Sequence, residues 1–374
     1  MSEFLLELYS EEIPPQLQIS ARKELKQIIE KSLETEGIKY ESLSEYSSPT
    51  RLTILLKGLP EKLKTPSREI KGPKVGVIED ILNSFIRSHK VSKKDVFKRE
   101  IDKGEFYFIK TKSKELLTAD LLIKIILNSI SSLNWKKSMK WSDHNLIWGR
   151  PLRSILAIYN KKLLSFSYGH LKSTDTVILE QDLSTKYKKV KNFSEYQNLL
   201  KNNKIILDQE ERKEKILKRF QSISKSKNFK ESFNNKLLEE VVNIVENPNV
   251  LIAEFNKDYL KIPQEIIIST LQTHQRYFPL FDLKDKLTNY FLVVANKIDE
   301  KNIIKAGNKR VVEARLSDAK FFWEKDKSKN LIKQIVNLKK ITYYDKIGTI
   351  YDKTQRLRKL GALISDELNI NKEK

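Results

Sequence analysis

Cysteine is absent from the 374-residue sequence, so disulfides and thiolate metal sites are excluded. Glycine is scarce, with ten residues at 37, 58, 72, 76, 104, 149, 169, 307, 348 and 361. No two lie two apart, as a dinucleotide-binding turn needs, and no two lie five apart, as a phosphate-cradling loop needs. The four histidines are His89, His144, His170 and His274. None has a second histidine at the spacing of a helical zinc pair, so no metal site is expected. No histidine precedes an aspartate, which removes the mark of metal-dependent phosphohydrolases. No apolar run approaches the roughly 18 residues needed to span a bilayer. The opening stretch from Met1 to Glu12 is too short and too acidic for a signal peptide. The expectation is a cytoplasmic chain with no membrane contact.

Acidic residues are outnumbered 49 to 71 by basic ones, giving a net charge of +22 and a pI near 9.6. Such an excess favours a polyanionic partner through phosphate contacts and counterion release. Only 14 of the basic residues are arginine and 57 are lysine. With abundant isoleucine and asparagine, that bias is also what an AT-rich genome produces by itself. Sixteen Phe, 14 Tyr and 4 Trp argue against general disorder. The length suggests two or three domains.

The pattern along the chain is α+β and multidomain. Phe4 to Tyr9 reads as a buried strand. Pro14 and Pro15 then open a helix whose apolar face is Leu17, Ala21, Leu25 and Ile28, with Gly37 as C-cap. Strands are expected near Tyr40–Tyr46 and Leu52–Lys57, separated at Ser47-Ser48-Pro49. A helix near Ile78–Ser88, a hairpin turning at Asp102-Lys103-Gly104, a helix over Leu116–Leu133 and a strand pair turning at Asn160-Lys161-Lys162 follow. The stretch from 191 to 248 is helical and heavily charged. Asn249–Glu254 and Asn289–Ala295 read as strands. A helix covers Ile304–Trp323, with Val312, Leu316, Ala319 and Trp323 on one face, and a last one covers Tyr351–Leu368. The expected divisions are 1–190, 191–248, 249–325 and 326–374. A final helix needs a partner for its apolar stripe, so the closing segment reads as the start of a helical domain.

Five local strings stand out. They are Glu11-Glu12-Ile13-Pro14-Pro15, Ser48-Pro49-Thr50-Arg51-Leu52, Trp148-Gly149-Arg150-Pro151-Leu152-Arg153, Thr273-His274-Gln275-Arg276-Tyr277-Phe278-Pro279, and the run from Gly307-Asn308 through Arg310, Arg315, Leu316, Asp318 and Ala319 to Phe321-Phe322. In this order they resemble the β subunit of bacterial tetrameric glycyl-tRNA synthetase. Gly348-Thr349 with Asp352-Lys353 adds to the likeness, which covers nearly the whole chain. The family is roughly twice as long and continues into a further helical domain and an anticodon-binding region. It also carries a Gly-His-Arg-Phe string where this chain reads Ile178-Leu179-Glu180-Gln181-Asp182.

The resemblance implies a tRNA-binding subunit that supports ATP-dependent ligation of glycine to tRNA. An α subunit in an α2β2 assembly would hold glycine, ATP and Mg2+, and this chain would hold neither cofactor nor catalytic residues. Without the family's C-terminal regions, weak tRNA binding and no anticodon readout are expected. Lys137-Ser138-Met139-Lys140 only shuffles a class I synthetase ATP motif, and class II aminoacylation motifs are not found.

The residues that could carry contact to tRNA or a partner are Arg51, Arg150, Arg153, His274, Arg276, Tyr277, Arg310 and Arg315. A guanidinium matches phosphate oxygens in two places at once. Its alternative here is an internal arginine–carboxylate pair. His274, Arg276 and Tyr277 offer two rings and a fork, which suits unpaired bases, while Phe278 reads as core. Arg310 with Glu313 and Arg315 with Asp318 are spaced to pair along a helix. Phe321-Phe322-Trp323 reads as core or interface packing. Glu11 and Glu12, adjacent on a strand, point to opposite faces and do not form a catalytic pair. Two other functions remain open at this stage, a hydrolytic editing module and a basic RNA- or DNA-binding protein with no enzymatic partner.

Overall fold

The computed structural model describes all residues except 1, 65–68, 90, 102–103, 111–114, 142, 144, 182–183, 232 and 370–374. The expected turn at Asp102-Lys103, His144 and Asp182 lie outside the described residues. The architecture is α+β. The chain divides into two compact units. The first holds residues up to 225, 233–250 and 294–298; the second holds 226–232, 251–293 and 299 onward.

The first unit opens with β1 (Glu3–Ser10), α1 (Pro15–Glu36), β2 (Ser42–Ser48) and β3 (Arg51–Lys57). Gly37 ends α1 with φ of 69°, a left-handed conformation that glycine adopts without steric cost. There the Ile38 N–H reaches back to the Leu33 carbonyl at 2.9 Å. β4 (Lys62–Lys64) leads to β5 (Glu69–Lys74), α2 (Glu79–Ser88), β6 (Val96–Ile101) and β7 (Gly104–Lys110). β8 (Glu115–Leu117) returns to pair with β4, and α3 (Thr118–Ser132) follows. β9 (Leu152–Tyr159) turns through Asn160 and Lys161, both at positive φ, into β10 (Lys162–Leu163). Then come β11 (Ser167–Tyr168), β12 (Leu171–Thr174), β13 (Thr176–Gln181) and β14 (Ser184–Lys189).

The main sheet runs β11-β12-β9-β1-β3-β2, with β10 on β9. Its pairs are antiparallel except β12 with β9. Central β1 is covered on both faces, which explains its near-continuous apolar run. Phe4, Leu6 and Leu8 pack with Leu25 and Ile29 of α1 and Leu122 and Ile126 of α3. Leu5 points the other way, into a core with Leu156, Ile158, Val177, Leu179, Tyr196 and Leu200. That second face is closed by the β13–β14 hairpin and by α4 (Phe193–Asn202). α5 (Gln209–Lys227) and α6 (Asn235–Val242) complete the charged helical stretch. Apart from 226–232, that stretch lies within the first unit.

The second unit is built on a small sheet of order β15-β17-β16, from β15 (Asn249–Glu254), β16 (Phe278–Phe281) and β17 (Leu287–Ala295). Between β15 and β16 run α7 (Gln264–Ser269) and a π-helical turn, Thr270–His274. α8 (Ile303–Lys327) follows, then α9 (Leu331–Gln334), β18 (Thr342–Tyr344), β19 (Gly348–Thr349) and α10 (Ile350–Glu367). The core joins Phe255, Leu271, Tyr277 and Phe291 to Val312 and Leu316 of α8. α10 buries no residue among those described, and its Leu357, Leu360, Leu363 and Ile364 are at least half exposed.

Leu122→Ala, at a fully buried position, is expected to cost about 2–5 kcal/mol. Tyr187→Ala, on the exposed β14, is expected to stay within about 0.5 kcal/mol. Urea unfolding followed by circular dichroism checks both.

Candidate nucleic-acid interface

Arg51 begins β3 directly across from Tyr9 of β1. It is 2% exposed, so its fork must be satisfied from within. Its Nε donates to Glu7 Oε2 at 3.0 Å. Its Nη1 reaches Glu246 Oε1 at 3.2 Å and Thr50 Oγ1 at 2.8 Å. Its Nη2 donates to the Ile178 carbonyl, and its plane lies 4.7 Å from the Tyr9 ring centroid. The Tyr196 hydroxyl donates to Glu7 and lies 3.2 Å from Thr53 Oγ1. This is the internal arginine–carboxylate pair that the sequence left open as the alternative, and it leaves the guanidinium buried.

Arg153 sits on the other side of Tyr9, 5.6 Å from its ring. Its Nη1 meets Glu180 at 2.6 Å and Glu11 at 3.4 Å, with a third of the side chain exposed. Arg150 donates to the Gly149 carbonyl at 2.9 Å and is half-buried. The turn carrying it is held by Trp148, which is buried and meets Trp135 edge-on at 4.9 Å. A Cβ at residue 149 would lie 2.3 Å from the Trp135 ring, so only glycine fits there.

A second buried arginine was not singled out by sequence. Arg212 of α5 donates to the carbonyls of Val242, Ile206, Leu207 and Ser47 at 2.7 to 2.9 Å. Burial pulls its pKa down to about 10, more than the attraction of Glu246 offsets. It ties α5 to α6 and β2.

In the second unit the π-helical turn presents His274 to solvent. Arg276 adopts a φ of +59° and donates to the Thr273 carbonyl. Tyr277 is 9% exposed, and its ring stacks on Phe291 at 5.4 Å. Its hydroxyl donates to Asn308 of α8, whose own amide caps the Ile304 carbonyl at 2.7 Å. Two of the sequence strings therefore meet at one hydrogen bond. Both the ring and the hydroxyl of Tyr277 are thus engaged inside the unit. Phe278 is core at 2% exposure.

α8 buries only Val312 and Leu316. Arg310 and Arg315 are exposed. Among the described residues neither pairs with Glu313 or Asp318, and Glu313 instead accepts the Asn256 N–H at 3.2 Å. Phe321 and Phe322 are 59% and 58% exposed and Trp323 is 39% exposed, so of the two readings, core or interface, they are not core within this unit. The two phenyl rings meet edge-on, 5.4 Å apart, and Lys325 Nζ lies 5.6 Å from the Phe321 centroid.

A sequence profile described as glycyl-tRNA synthetase beta subunit matches residues 4–374. The chain belongs to this family. Similar relatives include the glycine–tRNA ligase beta subunit of Clostridioides difficile, 36% identical over all of this chain and 56% of that protein. Those of Rickettsia felis and Rickettsia bellii are 34% identical over 96% and 98% of this chain, and over 54% and 56% of the relatives. The chain spans about half the length of the curated relatives it matches.

Two residues of the string Ile178-Leu179-Glu180 are engaged by arginines. Glu180 holds Arg153, and the Ile178 carbonyl accepts from Arg51. Sequence reasoning missed Glu180 and Glu246 as arginine partners. Glu246 is 195 residues from Arg51, and no local signal links residues so distant.

Arg51→Met is expected to cost about 3–5 kcal/mol, because Glu7 and Glu246 then lose their buried counter-charge. Adding Glu7→Gln should restore part of that loss in urea titrations. Alkaline pH should act through the phenols. Burial raises Tyr196 well above its usual value of about 10. A raised folded pKa gives stability that is complete below the unfolded pKa and lost as pH climbs toward the folded one. Stability should therefore fall above about pH 10, and Tyr196→Phe should reduce that slope by up to about 1.4 kcal/mol per pH unit.

Proposed function

We propose that this chain is a tRNA-binding beta subunit that supports ATP-dependent ligation of glycine to tRNA by a separate alpha subunit. The family match over residues 4–374 carries the reading. The excess of 71 basic over 49 acidic residues supports it, since tRNA is a polyanion. Arg310 and Arg315 on α8, with His274 on the π-helical turn packed beside it, are the side chains offered to RNA or to the partner. Arg150, Arg153 and Arg276 are only partly exposed and serve as secondary contacts.

Glycine, ATP and Mg2+ belong to the alpha subunit in this reading, in an α2β2 enzyme of the cytoplasm. Among the described residues no group of three or more His, Asp or Glu side chains is placed to hold a metal ion. No described helix is long and apolar enough to cross a membrane. A hydrolytic editing role would need a water-activating group in a pocket. The buried carboxylate of Glu7 is already engaged by Arg51 and Tyr196.

Filter binding of a glycine tRNA transcript tests the proposal. Affinity should fall steeply with salt, and Arg310→Ala and Arg315→Ala should each lower the log–log salt slope by about one. An absence of tRNA binding at low salt, together with no co-purification of an alpha subunit, overturns it.

A further inference from the structure

The small sheet β5-β7-β6 in the first unit is not part of the strings that identify the family. One of its faces is partly covered by α2. Gly72 lies against the Phe85 ring of α2, and Ile109 is fully buried. Residues directly opposite in register share a face. Phe97 pairs with Phe108, Arg99 with Phe106, and Lys71 with Phe108. Three phenylalanines therefore share the other face with those two cations. Phe97 and Phe108 stack at 5.9 Å, and both Phe97 and Phe106 are partly accessible.

The cations on this face already sit on the rings. Lys71 Nζ is 3.6 Å from the Phe106 centroid, and the Arg99 guanidinium lies 5.6 Å from Phe97 and 5.3 Å from Phe108. Lys74 and Lys110 extend the same face, opposite Phe106 and Glu69. Among the described residues, the acidic side chain on this face is Glu69, bound by Arg99 at 2.7 Å. Lys71, Lys74 and Lys110 are exposed.

We propose that this face, built around Phe97, Phe106, Lys71 and Lys110, binds single-stranded RNA. The charge balance favours a polyanion, and the rings make it more than a general phosphate surface. Each cation–π contact is an exchangeable place-holder: a base takes the ring face, and the displaced ammonium meets the adjoining phosphate. Duplex RNA keeps its bases stacked internally and cannot make that exchange. The inference rests on the proposed tRNA-binding function and assigns to this sheet a contact with unpaired nucleotides.

Fluorescence anisotropy with a labelled single-stranded RNA of about 12 nucleotides, against a duplex of the same length, tests it on the full chain. The single strand should bind more tightly than the duplex. Phe106→Leu, which keeps apolar bulk but removes the ring, should weaken the single strand by about tenfold. The surface double variant Lys71→Gln/Lys110→Gln should lower the log–log salt slope for the single strand by about 1.4, with an unchanged melting curve. Equal binding of single strand and duplex overturns the proposal, as does wild-type affinity in the lysine variant. So does loss of alpha-subunit capture in that variant with RNA affinity intact, which makes the face a protein contact. If these variants still bind intact tRNA as wild type does, only this surface falls. If the chain binds no RNA at low salt, the proposed function falls with it.

Discussion

A buried arginine held between two carboxylates organises the first unit. Arg51 joins Glu7 on the central strand to Glu246, which follows α6. Taking such charges out of water is expensive, and only close geometry with full hydrogen bonding offsets it. Here the guanidinium meets two carboxylates, a hydroxyl and a carbonyl, and one carboxylate also receives the Tyr196 hydroxyl. The cluster spans β1, β3, β13, α4 and the segment after α6. These elements cannot separate without stranding a charge. Arg212 works in the same way with carbonyls alone, so the charged helical stretch is fastened to the sheet by polar bonds as well as by the core around Tyr196 and Leu200.

This arrangement explains what the sequence could and could not convey. Local pattern was sufficient for β1, for α1 with its Gly37 cap, for α8, and for the helical character after residue 191. Each rests on periodicity or on one residue's backbone preference. The β13–β14 hairpin and the parallel pairing of β12 with β9 were not legible, because they depend on which surfaces remain uncovered once the chain has collapsed. Trp323 was misjudged for a related reason. Helical spacing placed it on the face of Val312 and Leu316, but the packed surface ends before it.

The candidate residues separated along the same line. Arginine on a strand looks identical in sequence whether it meets phosphate or carboxylate. Arg51 and Arg153 lie on either side of Tyr9 and meet acids from far along the chain. Arg310 and Arg315 lie on a helix with two buried residues, and their local acids are not bound to them. The burial of the element, rather than the chemistry of the residue, decides which arginines remain available.

The string around His274 combines both outcomes in five residues. Tyr277 and Phe278 turn inward, and the tyrosine hydroxyl fixes Asn308 at the start of the exposed part of α8. His274 turns outward from a π-helical turn, a distortion that re-aims side chains at the end of a helix. Arg276 takes the positive φ that lets the chain reverse between the two directions. The motif therefore does not present its side chains on one continuous surface. Its inward half sets the position of α8, and α8 in turn carries the cations. A substitution at Tyr277 should thus affect the proposed RNA contact only through the placement of that helix.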